Sequence, residues 1–184
     1  NYIGKHESIA QFEGMKERSI IVNGVSKAYA MTGWRIGFIA APQWIVKGCN
    51  KLQGQYTSGP CSVSQKAAEA AYTLPQDCVE TMRQAFERRR DLIVSLAKEI
   101  PGLEVNKPEG AFYLFPKCSS FFGKTDGQRT INNSTDFAMY LLEVGHVATV
   151  GGDAFGDPDC FRMSYATSDD NIKEAMSRIK NALS

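Results

Sequence analysis

Apolar residues along this chain recur in two rhythms, short unbroken runs and spaced repeats, and the switch between them marks out the elements. The runs Ser19–Val22 and Ile36–Ala41 predict two strands, the second closed at Pro42, which cannot donate to a strand ladder. From Gln43 to Gln55 the spacing becomes helical, carried by Trp44, Ile45, Val46 and Leu52, until Tyr56-Thr57-Ser58-Gly59-Pro60 breaks it. A small-residue helix follows over Val63–Tyr72. A long one then runs from about Pro75 to Ile100, with Val79, Met82, Phe86, Ile93 and Leu96 on one face and Pro101-Gly102 as its stop.

Beyond that helix the pattern predicts an α+β unit. Leu103–Val105 and Ala111–Phe115 read as strands, with Pro116 ending the second, and the polar stretch Lys117–Asn133 reads as a mobile surface loop. Ser134-Thr135-Asp136 offers a cap for a helix that buries Phe137, Tyr140, Leu141 and Val144 and ends at Gly145. Val147–Val150 is a short strand, and Gly151–Gly156 a glycine-rich turn that lacks the pattern of a nucleotide loop. Phe161, Met163 and Tyr165 then alternate with Arg162, Ser164 and Ala166, so one strand face is apolar and the other presents an arginine. Ser168 caps a closing helix whose buried stripe is Ile172, Ala175, Met176, Ile179 and Leu183.

Composition narrows the function classes. The chain has 184 residues, 43% hydrophobic and 22% charged, enough for one large or two small domains with a core. A formal net charge of +1 gives no electrostatic case for nucleic acid or an anionic membrane, and no apolar stretch is long enough to span a bilayer. Arg88-Arg89-Arg90 is the densest charge run, but consecutive helix positions point apart, so it reads as solvated or salt-bridged surface rather than one anion site. The cysteines, 49, 61, 78, 118 and 160, are odd in number and scattered without a CxxC pair, which indicates free thiols in a reducing cytoplasm and no zinc site. His6 reads as an exposed loop residue.

Chemistry concentrates at Ser26-Lys27-Ala-Tyr-Ala-Met-Thr-Gly-Trp-Arg35-Ile-Gly37, between the two apolar runs. A lysine amine is a poor nucleophile at neutral pH unless desolvated or set beside other cations, and Arg35 is such a cation if the loop folds back. A guanidinium fork and a serine hydroxyl suit a phosphate. Those are the parts of a site that engages an amine covalently beside a bound phosphate, and pyridoxal 5'-phosphate meets both needs.

Ser26-Lys27, five residues, then Gly33-Trp34-Arg35-Ile36-Gly37 resembles the lysine segment of the class I (fold type I) PLP-dependent aminotransferases, the aspartate aminotransferase family. Gly110-Ala111-Phe112-Tyr113 and Phe161–Thr167 resemble further family segments. The resemblance implies an α/β fold, here the C-terminal part of a large cofactor-binding domain over 1–74, a linking helix over 75–100 and a small α+β domain over 101–184. It implies Lys27 as the Schiff-base lysine and general base, Ser26 and Arg35 as phosphate holders, and Arg162 as the grip on the substrate α-carboxylate. It also implies a cytoplasmic homodimer acting on an amino acid and a 2-oxo acid, aspartate and 2-oxoglutarate being the expected pair. Tyr56–Ser58 then lies near the subunit boundary, or serves as a solvated connector. Family members commonly carry proline where Gly151 stands, which implies a looser turn here.

The polar opening from Asn1 reads as a point downstream of the strand that carries an aspartate and a tyrosine for the cofactor ring, so the chain reads as roughly a C-terminal half. Those two ring contacts have no matching positions, and residues 1–184 alone are expected to bind the cofactor poorly and to be inactive. A PLP-dependent lyase or synthase, or a non-catalytic binding domain of this fold, stays open alongside the aminotransferase.

Overall fold

In a computed structural model describing residues Asn1–Ser184, the chain divides into two units, one of residues 5–82 and the other of residues 1–4 with 83–184. The first contains an antiparallel strand pair, β1 (Ile21–Gly24) and β2 (Gly37–Ala40), then α1 (Gln43–Tyr56) and α2 (Ser62–Thr73). Each element falls within a residue or two of its apolar pattern. Yet little is buried: Val25 and Ser64 are the only buried residues of this unit, while Val22, Trp44 and Tyr56 are 78%, 76% and 83% exposed. His6 is exposed, as its surroundings predict.

The long helix α3 (Asp77–Lys98) carries the chain from one unit into the other. It brings Arg90, Ile93, Val94 and Ala97 to the interior, a stripe at intervals of three and four. Around it lie a three-stranded antiparallel sheet in the order β3 (Tyr113–Leu114), β5 (Phe161–Ser164), β4 (Val150–Gly151), and two helices, α4 (Ser134–Glu143) and α5 (Asp169–Ala182). Phe121, Phe137 and Phe161 stack through the core with ring centroids 5.3 and 4.8 Å apart, joined by Leu114, Leu141, Tyr165 and Ile179. Ser168 caps α5 as expected, its hydroxyl accepting from the Asn171 amide at 3.2 Å, and Ile172, Met176 and Ile179 form the buried stripe.

Several expectations are corrected in this second unit. Leu103–Val105 forms no ladder; Glu104 alone bridges Lys117, and β3 shrinks to two residues because Ala111 turns into the left-handed region at φ 60°. The expected strand over Val147–Val150 is confined to Val150–Gly151. The Lys117–Asn133 stretch is pinned rather than loose: it buries Cys118, Phe121 and Ile131, and the Gly123 amide donates to the Ile131 carbonyl at 2.7 Å. Asn133, not Ser134, caps α4, accepting from the Asp136 amide at 2.9 Å, and Val144 is exposed.

The arginine run is salt-bridged at Arg88 and Arg89, as expected, and departs from the surface reading only at Arg90. Arg88 and Arg89 converge on one carboxylate, Asp169 at the head of α5, at 3.1 and 3.3 Å, because long side chains bend toward a shared partner whatever the direction of their Cα–Cβ bonds. Arg90 is 2% exposed. Its guanidinium donates to Glu87, Asp91 and the Pro108 carbonyl, and lies 4.6 Å over the Tyr2 ring, so the buried charge is paired on every side. Tyr2 is held in turn by its amide, which donates to the Glu109 carbonyl at 2.9 Å, and by its hydroxyl, which donates to the Ala111 carbonyl and pairs with the Tyr165 hydroxyl.

Candidate active site

The lysine motif forms the loop of a hairpin. β1 and β2 pair from Ile21 opposite Ala40 to Gly24 opposite Gly37, and the loop over 25–36 leaves and returns at that glycine pair. Ser26 and Arg35 each stand two residues past the neck and Lys27 one farther, so the closed ladder brings all three to the mouth of a single loop. The neck is tight. A Cβ on Gly24 would lie 3.0 Å from the Ile36 carbonyl oxygen, and one on Gly37 would lie 3.3 Å from that of Asn23.

Inside the loop the backbone satisfies itself by short turns. Fully buried Val25 accepts from the Tyr29 amide at 3.3 Å, and Lys27 accepts through its carbonyl from Ala30 at 3.1 Å. A 3-10 turn over Thr32–Trp34 delivers Arg35 in the left-handed region at φ 51°, a conformation that costs a non-glycine residue roughly 1–2 kcal/mol. Its guanidinium Nη1 bends back to donate to the Thr32 carbonyl at 2.9 Å, which fixes the side chain against its own turn. Lys27 and Arg35 are exposed and Ser26 is half-buried. The loop thus offers a hydroxyl, an amine and a guanidinium, the donor set of a phosphate holder next to a nucleophile.

An aromatic prop under this loop escaped sequence reasoning. Tyr29 donates its hydroxyl to Gln76 at 2.8 Å and meets the Tyr72 ring edge-on at 5.2 Å; Phe38 of β2 meets the same ring at 5.5 Å. Tyr72 sits at the end of α2, so one ring ties both the loop and its returning strand to that helix. The helical spacing of α2 carries no signal of this role.

Arg162 belongs to the other unit, on the central strand of its sheet. β5 alternates as its sequence predicts, with Phe161 and Met163 buried, Arg162 half-buried and Ser164 exposed. Arg162 faces Val150 across the ladder. Its guanidinium carbon is 4.4 Å from the centre of the Tyr113 ring and 3.9 Å from that of Phe155, and the side chain makes no ion pair with a carboxylate. A cation held against two rings with no anion on it can take one from solution. Phe155 lies in the glycine turn and Tyr113 in the Gly-Ala-Phe-Tyr segment, but nothing in either sequence pattern announces the arginine contact.

The expected slack in the Gly151–Gly156 turn is absent. Gly151 has φ −59° and ψ 148°, values a proline adopts, but a Cβ there would come within 2.8 Å of the Thr135 hydroxyl. Glycine fits because Thr135 fills the space.

Similarity to known proteins extends over nearly the whole chain. The family model described as aminotransferase class I and II matches residues 3–179. The bifunctional aspartate aminotransferase and glutamate/aspartate-prephenate aminotransferase of Petunia hybrida is 50% identical over 182 residues, 97% of this chain and 38% of its own length. An aspartate aminotransferase of Rhizobium meliloti is 50% identical over 175 residues, 94% of this chain and 43% of its own. Among solved structures, the aspartate aminotransferase from Rhizobium meliloti superposes with a TM-score of 0.90 at 49% identity, covering 95% of this chain and 44% of the other. The aromatic aminotransferase from Pyrococcus horikoshii does so at 0.87 and 40% identity, covering 98% and 47%. The chain thus spans about two fifths of the length of the curated relatives it matches. With half its residues shared and the α/β architecture common to both, it belongs to the class I and II aminotransferase family.

Proposed function

We propose that the full-length protein carrying these residues is an aminotransferase that moves an amino group between aspartate and 2-oxoglutarate, and that residues 1–184 are its C-terminal part. The observation that carries this reading is the hairpin loop, where Ser26, Lys27 and Arg35 stand within three residues of one glycine neck in a chain half identical to an aspartate aminotransferase. Pyridoxal 5'-phosphate, the cofactor of the family, supplies when bound an aldehyde for an amine and a sink for the electrons left at Cα. The donor set fits it: Ser26 and Arg35 would hold the phosphate, and Lys27 would reach the aldehyde carbon.

Each residue then has a task that matches its chemistry. Lys27, on a flexible four-carbon stem, would take the proton from the substrate Cα and carry it toward the cofactor's aldehyde carbon, on the far side of the substrate nitrogen. Arg162 receives the α-carboxylate, a match for an unpaired fork that can bond two oxygens in one plane. In domain terms, residues 1–74 would belong to the large domain, 75–100 to a linking helix and 101–184 to the small domain. The active form would be a homodimer. No helix is long and apolar enough to cross a membrane, and with five unpaired cysteines the reading favours the cytoplasm. Prephenate is a second acceptor to try, because the names of relatives from Petunia hybrida and Rickettsia prowazekii include it.

Borohydride reduction of the full-length protein with its cofactor, followed by peptide mapping, is expected to leave the adduct on Lys27. Aspartate and 2-oxoglutarate should yield glutamate, and Lys27→Ala should slow that by about 10²–10⁴-fold, the range for a lost general base. Release of ammonia or a cleaved side chain would point to a lyase or synthase. No adduct on Lys27 would leave a non-catalytic binding domain. Residues 1–184 alone should show neither turnover nor firm cofactor binding.

A further inference from the structure

We infer that Phe155 is a positioning residue for Arg162, closing with Tyr113 an aromatic clamp that holds the guanidinium in one plane and leaves only its N–H edge for a carboxylate. The inference rests on the reading of Arg162 as the carboxylate grip and names what gives that grip its geometry. Phe155 is 43% exposed in residues 1–184. Its nearest partners are Arg162, 3.9 Å from the ring centre, and Phe115, whose ring meets it edge-on at 6.1 Å. Tyr113 is the second ring on the cation, at 4.4 Å, and is itself backed by Phe112, with ring centroids 4.4 Å apart. The cation thus sits inside a ladder of rings rather than against a single mobile one.

The turn that carries Phe155 is built to place it. Buried Ser134 at the start of α4 accepts the Gly152 amide at 3.0 Å. A Cβ on Gly152 would strike the Asp157 and Cys160 carbonyl oxygens at 2.1 and 2.3 Å, so the backbone there is seated against its return path. Gly156 then reverses the chain at φ 86°, its amide donating to Asp153. Two anchored residues and a forced reversal leave Phe155 little choice of position.

Stacking matters to an arginine because its long stem otherwise samples many rotamers, and each must be abandoned when a carboxylate binds. Two rings on the cation remove that freedom in advance and also exclude water from the sides they cover. The N–H groups at the edge stay available, the geometry for two parallel hydrogen bonds to one carboxylate. An aliphatic side chain of equal bulk would fill space without attracting the cation.

The test uses the full-length, cofactor-loaded protein with Phe155→Leu, Phe155→Ala, Phe155→Tyr and Arg162→Ala. Calorimetric affinity for succinate, as a carboxylate probe, is read beside KM and kcat for aspartate and the thermal midpoint. Phe155→Leu and Phe155→Ala should weaken succinate about 5- to 30-fold, as expected for losing a partly desolvated cation–ring contact. The loss should fall on KM more than on kcat, and Phe155→Tyr should restore it. Combined with Arg162→Ala, Phe155→Leu should add almost nothing, since its effect acts through the arginine. Wild-type succinate affinity in Phe155→Leu, with a marked loss in Arg162→Ala, would overturn the clamp and spare the carboxylate reading. No loss in Arg162→Ala would overturn that reading itself. If Phe155→Ala fails to fold, the leucine and tyrosine variants decide.

Discussion

The two units differ in what holds them together. Residues 83–184, with 1–4, bury a full set of aromatic and aliphatic side chains around Phe137, Phe161 and Tyr165, whereas residues 5–82 bury only Val25 and Ser64. The unit with the lysine loop has regular elements and a tight glycine neck but almost no interior, and large apolar side chains such as Trp44 and Tyr56 lie open. Local hydrogen bonds can shape a hairpin, yet burial supplies most of the stability of a domain. The lysine loop is thus shaped by local hydrogen bonds with little burial beneath it, while the Arg162 strand stands on a core of its own.

The sharpest way to break this contrast is a pair of large-to-small substitutions followed by urea unfolding. Phe137→Ala should cost about 3–5 kcal/mol, the usual penalty for emptying a packed aromatic site, whereas Trp44→Ala in the isolated chain should change stability by no more than about 0.5 kcal/mol. A large effect at Trp44 in residues 1–184 would mean that the open unit has an interior after all.

Thiol labelling at neutral pH gives a finer measure. Cys61 opens α2, and the Ser64 and Val63 amides hold its thiol below the ordinary value, so it should react first. Exposed Cys49 and Cys78 should follow. Burial pushes Cys118 up to about 12, and burial with the Asp157 contact pushes Cys160 up to about 11, so both should stay unlabelled until the core unfolds. Equal rates for Cys118 and Cys49 would erase the distinction between the units.

The smallest effect is expected at Asp169. The hydrogen bond from Arg88, with help from Arg89, holds its carboxyl below the ordinary 3.8. A depressed carboxyl stabilises the fold above its unfolded value and loses that contribution as pH falls through the folded one. Asp169→Asn should therefore cost a little at neutral pH, and the difference from the parent chain should vanish in acid denaturation series. A gap that widens on acidification would be the wrong sign for this pairing.

Much of this was legible in the sequence, for unequal reasons. The helices over 43–56, 62–73, 77–98 and 169–182 follow from apolar spacing, and the alternation at Phe161–Ser164 survives in the strand. The lysine loop was legible because its whole pattern lies within a few consecutive residues. What escaped depends on distant partners. Arg90 looks like surface until Tyr2 and the Pro108 carbonyl close over it, and Arg88 and Arg89 share a carboxylate on a helix far along the chain. Strand lengths failed for a related reason: Leu103–Val105 has the composition of a strand but finds pairing only at Glu104. The Phe155 contact needs three separate segments to meet, which no local window contains.

The paired glycines at the neck of the lysine loop carry a consequence for how this protein can vary. Neither Gly24 nor Gly37 bears a side chain that could act on a reactant, yet a methyl at position 24 would press on the Ile36 carbonyl of the strand opposite. A library of random variants under growth selection should therefore accept fewer changes at these two sites, position 24 above all, than at the exposed positions beside them. A map of intolerance alone would then mistake a spacer for a participant.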